Sequence, residues 1–332
     1  MAIAIFHGKE TTYPFTVDSI DNFVRYFNVF VSYFFVLSGF ILVISGSDKL
    51  SYKNFYINRF ARIYPLYLFA LVITLILIFN ARTPKDTIIF SKVFLSATLL
   101  HTWFKDYALI YNFPSWSLSV EAFFYLIFPG VIFIFRNVSL KKEIIIIGIV
   151  WLIMQILFVL VYSHGNYFII YHPIFHTSTF LVGITAGKLF RAHQPYFKMH
   201  LKKLFNLLVF FGLAIIVLIL YRNTFFQQYY PNGLLAPVFL LFIFVVALSD
   251  HPIFVFFKNR VCQYAGEISY GIYILQIPVA ILVFGIVDRT LRLPLTITFY
   301  IYLIILMIVS AITYEWIEKP GKIFIRNRLA KK

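Results

Sequence analysis

Two stretches of this chain, Ile144–Leu160 and Leu204–Leu220, each run for 17 residues without a charged side chain. Helices of about 17–25 apolar residues span a hydrocarbon layer roughly 30 Å thick. Inside lipid, only a helix or a closed barrel satisfies every backbone N–H and C=O. These runs are continuous rather than alternating, which is the pattern of a helix and not of a barrel strand. The same pressure extends along the chain, where 61% of 332 residues are hydrophobic and 13% charged. Soluble domains average about 45–50% and 25%, and larger soluble chains divide into domains rather than become greasier. The expected fold is therefore all-α: a polytopic integral membrane bundle of about ten transmembrane helices, in one domain over residues 1–332.

Spanning helices are expected near 27–46, 63–79, 117–135, 144–162, 168–190, 204–221, 233–248, 267–287 and 295–316. The opening Met1–His7 is too short for a cleavable signal. It reads as the second half of a first helix whose N-terminal half is missing, and it makes the tenth span. The stretch 88–104 is ambiguous, because it is apolar but carries Ser91, Lys92, Ser96, Thr98 and His101.

Charge resolves that ambiguity. If 88–104 does not cross, the loops 47–62, 136–143, 188–203 and 249–266 share a side with the tail from 317, and together they hold 20 Lys and Arg. The opposite loops hold 9. The positive-inside rule then puts the first set and both termini in the cytoplasm, and 80–116 becomes an outer or re-entrant segment. The net charge of +16 thus belongs to loops facing anionic lipid, so membrane lipid is an expected partner and nucleic acid is not. The one cysteine, Cys262, excludes an internal disulfide.

Ionisable residues in lipid mark function by default, since a mid-bilayer charge costs about 2.5–3.5 kcal/mol on insertion scales. His7 ends the first apolar stub and has the chemistry of a proton carrier near neutrality; an interfacial histidine near a terminus is the plainer alternative. Arg59 and Arg62 share a helical face at the mouth of the next span, as a phosphate site or as positive-inside anchors. Ser117 and Glu121 lie four apart, one turn into a helix opened by Pro114-Ser115-Trp116-Ser117, with a serine expected as cap. Glu121 is either functional or a favourable charge at a helix N-terminus. Tyr270 and Tyr273, near Gln276, suggest a polar stripe, though packing explains tyrosines more often than chemistry does. His164, His172 and His176 lack a carboxylate or cysteine at ligand spacing, so no metal is expected. This set suits group transfer at a membrane, and it suits a transporter too.

Five segments carry a resemblance. Val31-Ser32-Tyr33-Phe34-Phe35-Val36-Leu37-Ser38-Gly39-Phe40, Asn58-Arg59-Phe60-Ala61-Arg62-Ile63-Tyr64-Pro65 and Trp116-Ser117-Leu118-Ser119-Val120-Glu121 come first. Ile268-Ser269-Tyr270-Gly271-Ile272-Tyr273 and Tyr314-Glu315-Trp316-Ile317-Glu318-Lys319-Pro320 follow in order. The chain resembles the integral membrane acyltransferase-3 family along nearly its whole length.

That resemblance implies O-acylation, usually O-acetylation, of extracytoplasmic carbohydrate in the bacterial inner membrane. The co-substrate is cytoplasmic acetyl-CoA or another acyl-CoA, with no permanently bound cofactor. His7 falls on the family's candidate catalytic base, Arg59 and Arg62 on its paired arginines, and Glu121 on its motif glutamate, expected as a second catalytic residue that orients the imidazole or binds acceptor hydroxyls. Trp116, Ser117 and Tyr273 are expected to bind substrate. The physics is compatible: guanidinium pairs suit a phosphate-rich donor, and a sugar hydroxyl needs a base near pH 7. Two departures stand out. The arginine that usually precedes the family's histidine would fall before Met1, and Gln276 stands where a histidine often follows the penultimate-helix tyrosines. No appended extracytoplasmic domain of the kind some members carry is expected after the last helix. The expected function is transfer of an acyl group to a polysaccharide or lipid-linked oligosaccharide, including exopolysaccharide. The rivals are a glycan or acyl-donor flippase and an inactive truncated remnant.

Overall fold

The computed structural model describes residues 26–46, 48, 51–80, 89–220, 232–257, 259–286, 290–291 and 293–329. Helix accounts for 88% of the structure, and no strand occurs among the described residues. Among the described residues, six helices are long and apolar enough to cross a membrane, or seven if one bent pair counts as a single span. The chain divides into two compact units.

The first unit takes in Ser51–Ala122 and the chain from Arg260 onward. Its longest element is α2 (Tyr52–Asn80), opened by Ser51, whose hydroxyl accepts from the Asn54 N–H at 3.4 Å. At 29 residues, α2 is about 43 Å long and outreaches the hydrocarbon layer. A short helix α3 (Phe90–Ala97) follows, then helical turns, then α4 (Trp116–Phe135), whose residues to Ala122 belong to this unit. The unit ends with α9 (Arg260–Ile274), α10 (Gln276–Ile286), α11 (Leu295–Thr313), a π-helical turn Tyr314–Glu318 and α12 (Lys319–Leu329). Thr298, Phe299, Tyr302, Leu306, Ser310 and Thr313 form the buried stripe of α11 at helical spacing. The α9–α10 pair bends by 69°.

The eight residues of α3 make about 12 Å of helix, too short to cross. Its C-terminal end lies against the middle of α2: the Tyr64 hydroxyl donates to Ala97 O at 3.0 Å and Tyr67 to Ser96 O at 2.6 Å. Tyr67 is 13 residues back from the end of α2 at Asn80, or about 20 Å. The described segment leading into α4 therefore lies back along α2.

The second unit takes in Asn28–Leu50 and Phe123–Asn259. It contains α1 (Val29–Ile44), the remainder of α4, α5 (Leu140–Ser163), α6 (Pro173–Met199), α7 (Leu201–Leu220) and α8 (Ala236–Leu248). Its core gathers Val36, Phe40, Ala186, Phe190, Ala236, Ile243, Phe244 and Leu248. Gly183 lies so close to α1 that a Cβ there would collide with Val36 O, and Gly39 meets the α6 backbone in return. Such close approach needs glycine and is a common membrane-helix contact. The apolar window of α7 has no buried residue, so its Leu, Val and Phe side chains suit a lipid face.

Three ion pairs tie one end of this unit together. Lys188 meets Glu143 at 2.9 Å, Arg191 meets Asp48 at 2.8 Å, and Lys198 meets Asp250 at 3.2 Å. They hold Asp48 after α1, Glu143 in the first turn of α5 and Asp250 after α8 against the C-terminal part of α6.

Candidate functional site

The candidate site is assembled in the first unit, at the start of α4. Pro114 lies in a helical turn, Phe113–Ser115, that leads directly into Trp116. The serine expected to cap this helix is used otherwise. The Ser115 hydroxyl contacts His101 Nε2 at 3.2 Å. The Ser117 hydroxyl lies 2.7 Å from the Tyr273 hydroxyl, and Tyr273 donates to Pro114 O at 2.8 Å. Glu121, one turn on and half-buried, is close enough for its charge to bear on the Tyr273 hydroxyl. Ser117, Glu121 and Tyr273 are thus brought together across 156 residues of chain. Trp116 begins the same helix, half-buried.

The arginine pair sits on α2. Arg59 is half-buried with its guanidinium 5.8 Å from the Phe55 ring centre, and Arg62 is exposed. The next residue, Ile63, accepts from the Tyr270 hydroxyl at 2.8 Å. Tyr270 and Tyr273 are one turn apart on α9, so about 5 Å of helix rise separates the contact beside Arg62 from the contact with Ser117. Gly321 packs on the Pro65 ring, which brings the C-terminal signature against the same stretch of α2. Its π-helical turn holds Glu318, buried and within electrostatic reach of Arg62 and Lys322. His7 lies outside the described residues, so its place relative to this cluster is not described.

Several residues of the site were not singled out as such by the sequence. His101 is wholly buried in the segment leading into α4. Burial pushes its imidazole down to about 4, so it is neutral at physiological pH. Serine beside histidine suggests a nucleophile and base, but Ser115 is 2% and His101 0% exposed, which denies a substrate access. Next to them Thr102 and Ser119 share a 2.6 Å hydrogen bond, and Ser119 also reaches Leu99 O. Leu99 holds φ at 58°, a conformation that costs a non-glycine residue roughly 1–2 kcal/mol. Asn112 donates to Ile274 O at 2.8 Å. The signal for this network was the density of Ser, Thr, His and Asn between 91 and 119, where a lipid-exposed stretch would carry none.

Chemically, the cluster offers two hydroxyls and a carboxylate beside a guanidinium pair. Among the described residues Ser117 bonds a phenol and a carbonyl, an arrangement suited to holding a substrate. Among the described residues, no group of three or more His, Cys, Asp or Glu converges as metal ligands would.

Comparison with known proteins bears on this arrangement. The acyltransferase-3 family model, described as an acyltransferase domain, matches residues 1–316. A stretch of 99 residues is 36% identical to acyltransferase MdmB of Streptomyces mycarofaciens, covering 29% of this chain and 26% of that protein. The match thus spans about a quarter of that relative's length. No solved structure matches.

Proposed function

The chain belongs to the acyltransferase-3 family of membrane proteins, and from that premise we propose that it moves an acetyl group from cytoplasmic acetyl-CoA to a hydroxyl of a cell-surface or lipid-linked carbohydrate. The supporting observation is the short distance along α9 between two contacts. Tyr270 reaches the backbone beside Arg62, and one turn away Tyr273 reaches Ser117, with Glu121 within electrostatic reach. A re-entrant segment that carries the Trp116-Ser117 turn inward lets a donor from one face meet an acceptor from the other. Only a short barrier is then left for the acyl group to cross.

In this reading Arg59 and Arg62 hold the donor's phosphates. Glu121 accepts hydrogen bonds from the carbohydrate, while Trp116, Ser117 and Tyr273 shape its site. His7 takes the proton from the acceptor hydroxyl as the oxygen attacks the thioester carbonyl. The C–S bond breaks, CoA leaves as the thiolate, and the proton passes from the imidazole to sulfur. The protein lies in the bacterial inner membrane with both termini cytoplasmic. Six long helices, the bent pair and two shorter apolar helices would supply nine crossings among the described residues, and the segment ending at His7 the tenth.

One observation favours a second reading. A helix broken inside the membrane, as between α9 and α10, is also how transporters build binding sites, and a flippase for a glycan or acyl donor would use it. A single experiment separates the two. Membranes containing the chain are incubated with acetyl-labelled acetyl-CoA and a cell-surface polysaccharide acceptor, and a deletion strain is complemented with the chain or with His7→Ala. Label on the acceptor, restored O-acetyl content with the wild-type chain and none with His7→Ala at equal expression support the transferase. Transport of intact donor or glycan without covalent transfer sinks it.

A further inference from the structure

The break between α9 and α10 has a specific chemistry that the proposed reaction does not by itself require. Bending a helix by 69° at Leu275 takes carbonyl groups out of the helical ladder. In lipid such groups must find other donors, because water is not there to supply them. Two side-chain amides supply them. Gln276 Nε2 donates to Tyr273 O at 2.7 Å, and Asn112 Nδ2 donates to Ile274 O at 2.8 Å. Both amides are almost fully buried, at 1% exposure each.

Asn112 is itself held firmly. Its backbone carbonyl accepts from the Ser115 N–H at 2.9 Å, and its N–H donates to Ile110 O at 2.7 Å. The preceding residue, Tyr111, holds φ at 56°, a conformation rare for a bulky side chain and found where surrounding structure enforces it. Two residues further on, Pro114 accepts the Tyr273 hydroxyl. The turn Asn112–Ser117 therefore grips α9 twice, by the backbone at Ile274 and by the side chain at Tyr273.

We propose that Asn112 is a positioning residue: with Gln276 it clasps the broken helix at Ile274 and fixes Tyr273 against Ser117 and Glu121. The proposal rests on the acyltransferase reading for its kinetic consequence and on geometry alone for the clasp. Asn112 acts through Tyr273, so its loss impairs turnover of the acceptor and leaves donor binding at Arg59 and Arg62 in place.

The test uses the full chain in detergent with Asn112→Leu, which keeps the shape and removes the donor, and Gln276→Met as a second variant. The first measurement is amide hydrogen exchange over Arg260–Ile286. The clasp predicts exchange about tenfold faster around Tyr273–Val279 in either variant, with Leu295–Thr313 unchanged. Unchanged exchange at the break, or equal loosening of α11, overturns it. The second is a double-mutant cycle on acetyl transfer. Asn112→Leu lowers kcat about tenfold with the KM for acetyl-CoA unchanged, and in a Tyr273→Phe background it adds less than about twofold. Additive losses, or a raised donor KM, overturn the positioning role. A wild-type chain that transfers no acyl group defeats the acyltransferase reading, and the exchange measurement then decides the clasp by itself.

Discussion

The two units solve one problem, cohesion between helices in lipid, by opposite means. In the second unit, α1 and α6 meet backbone to backbone through Gly39, Gly183 and Gly187, around a core of Val, Phe, Ile, Ala and Leu. In the first unit, the segment leading into α4 is held by hydroxyls, an amide and a histidine: Tyr64, Tyr67, His101, Thr102, Asn112, Ser115 and Ser119. Lipid tails are as apolar as leucine, so helices there cohere by close packing or by polar bonds. Close packing gives a rigid frame and no chemistry. The polar route leaves groups from which a site can be made, and the candidate site lies in the unit that uses it.

The sharpest way to break that contrast is to add a side chain where the backbones touch. Gly183→Leu places a side chain into Val36 and Phe40, with no flexible neighbour to give way. The expected outcome is loss of monodisperse protein in detergent, with a cost above about 3 kcal/mol. Gly183→Ala should already lower the thermal midpoint markedly. If both variants fold normally, the second unit is not held by backbone contact.

The second unit also holds a buried ion pair, and it should behave as an exception. Glu143 is 2% exposed, paired to Lys188 and further bonded by Thr185 at 3.1 Å. Lys188→Met leaves that carboxylate buried without its cation, at a cost of about 3–5 kcal/mol. The double change Glu143→Leu with Lys188→Met removes both charges and should recover most of the loss. Thermal unfolding of the wild type and these two variants checks this, and a double variant as weak as the single one would mean the pair is worth more than its desolvation.

Activity should separate the units where stability does not. Tyr273→Phe removes a hydroxyl that donates to Pro114 and meets Ser117. The stability cost is about 1 kcal/mol, since one net hydrogen bond is worth roughly that. Acetyl transfer should fall about tenfold if the hydroxyl also orders the acceptor site. Equal small losses in both would make Tyr273 a packing residue, the alternative left open by the sequence.

Much of this architecture was legible beforehand, and the reasons are specific. Apolar runs such as Leu204–Leu220 announce themselves because lipid admits no other use for them. The motif at Trp116–Glu121 was legible because a carboxylate one turn into an apolar helix demands an explanation. The meeting of Ser117 with Tyr273 was not legible, because no local rule relates residues 156 apart. Asn112 was passed over for the same reason: its partner is a backbone carbonyl exposed only by a bend. Gln276 was noticed as a departure from a family pattern, while its bond to Tyr273 O depends on the same bend. Glu143 draws no notice in a loop rich in lysine and arginine, because only the approach of α6 buries it. His7 lies outside the described residues, so its assignment rests on the resemblance.

The smallest expected effect is also the cleanest control. Gly266 lies in α9 of the first unit, and a Cβ there would meet nothing within 4 Å. Since alanine is favoured over glycine in a helix interior by about 1 kcal/mol, Gly266→Ala should be neutral to slightly stabilising. The same one-carbon change is expected to be damaging at Gly183. A melting comparison of the two variants in one detergent thus measures how differently the units are packed. If Gly266→Ala were as costly as Gly183→Ala, the first unit too would depend on close backbone approach, and its polar network would be an addition to that packing rather than a substitute for it.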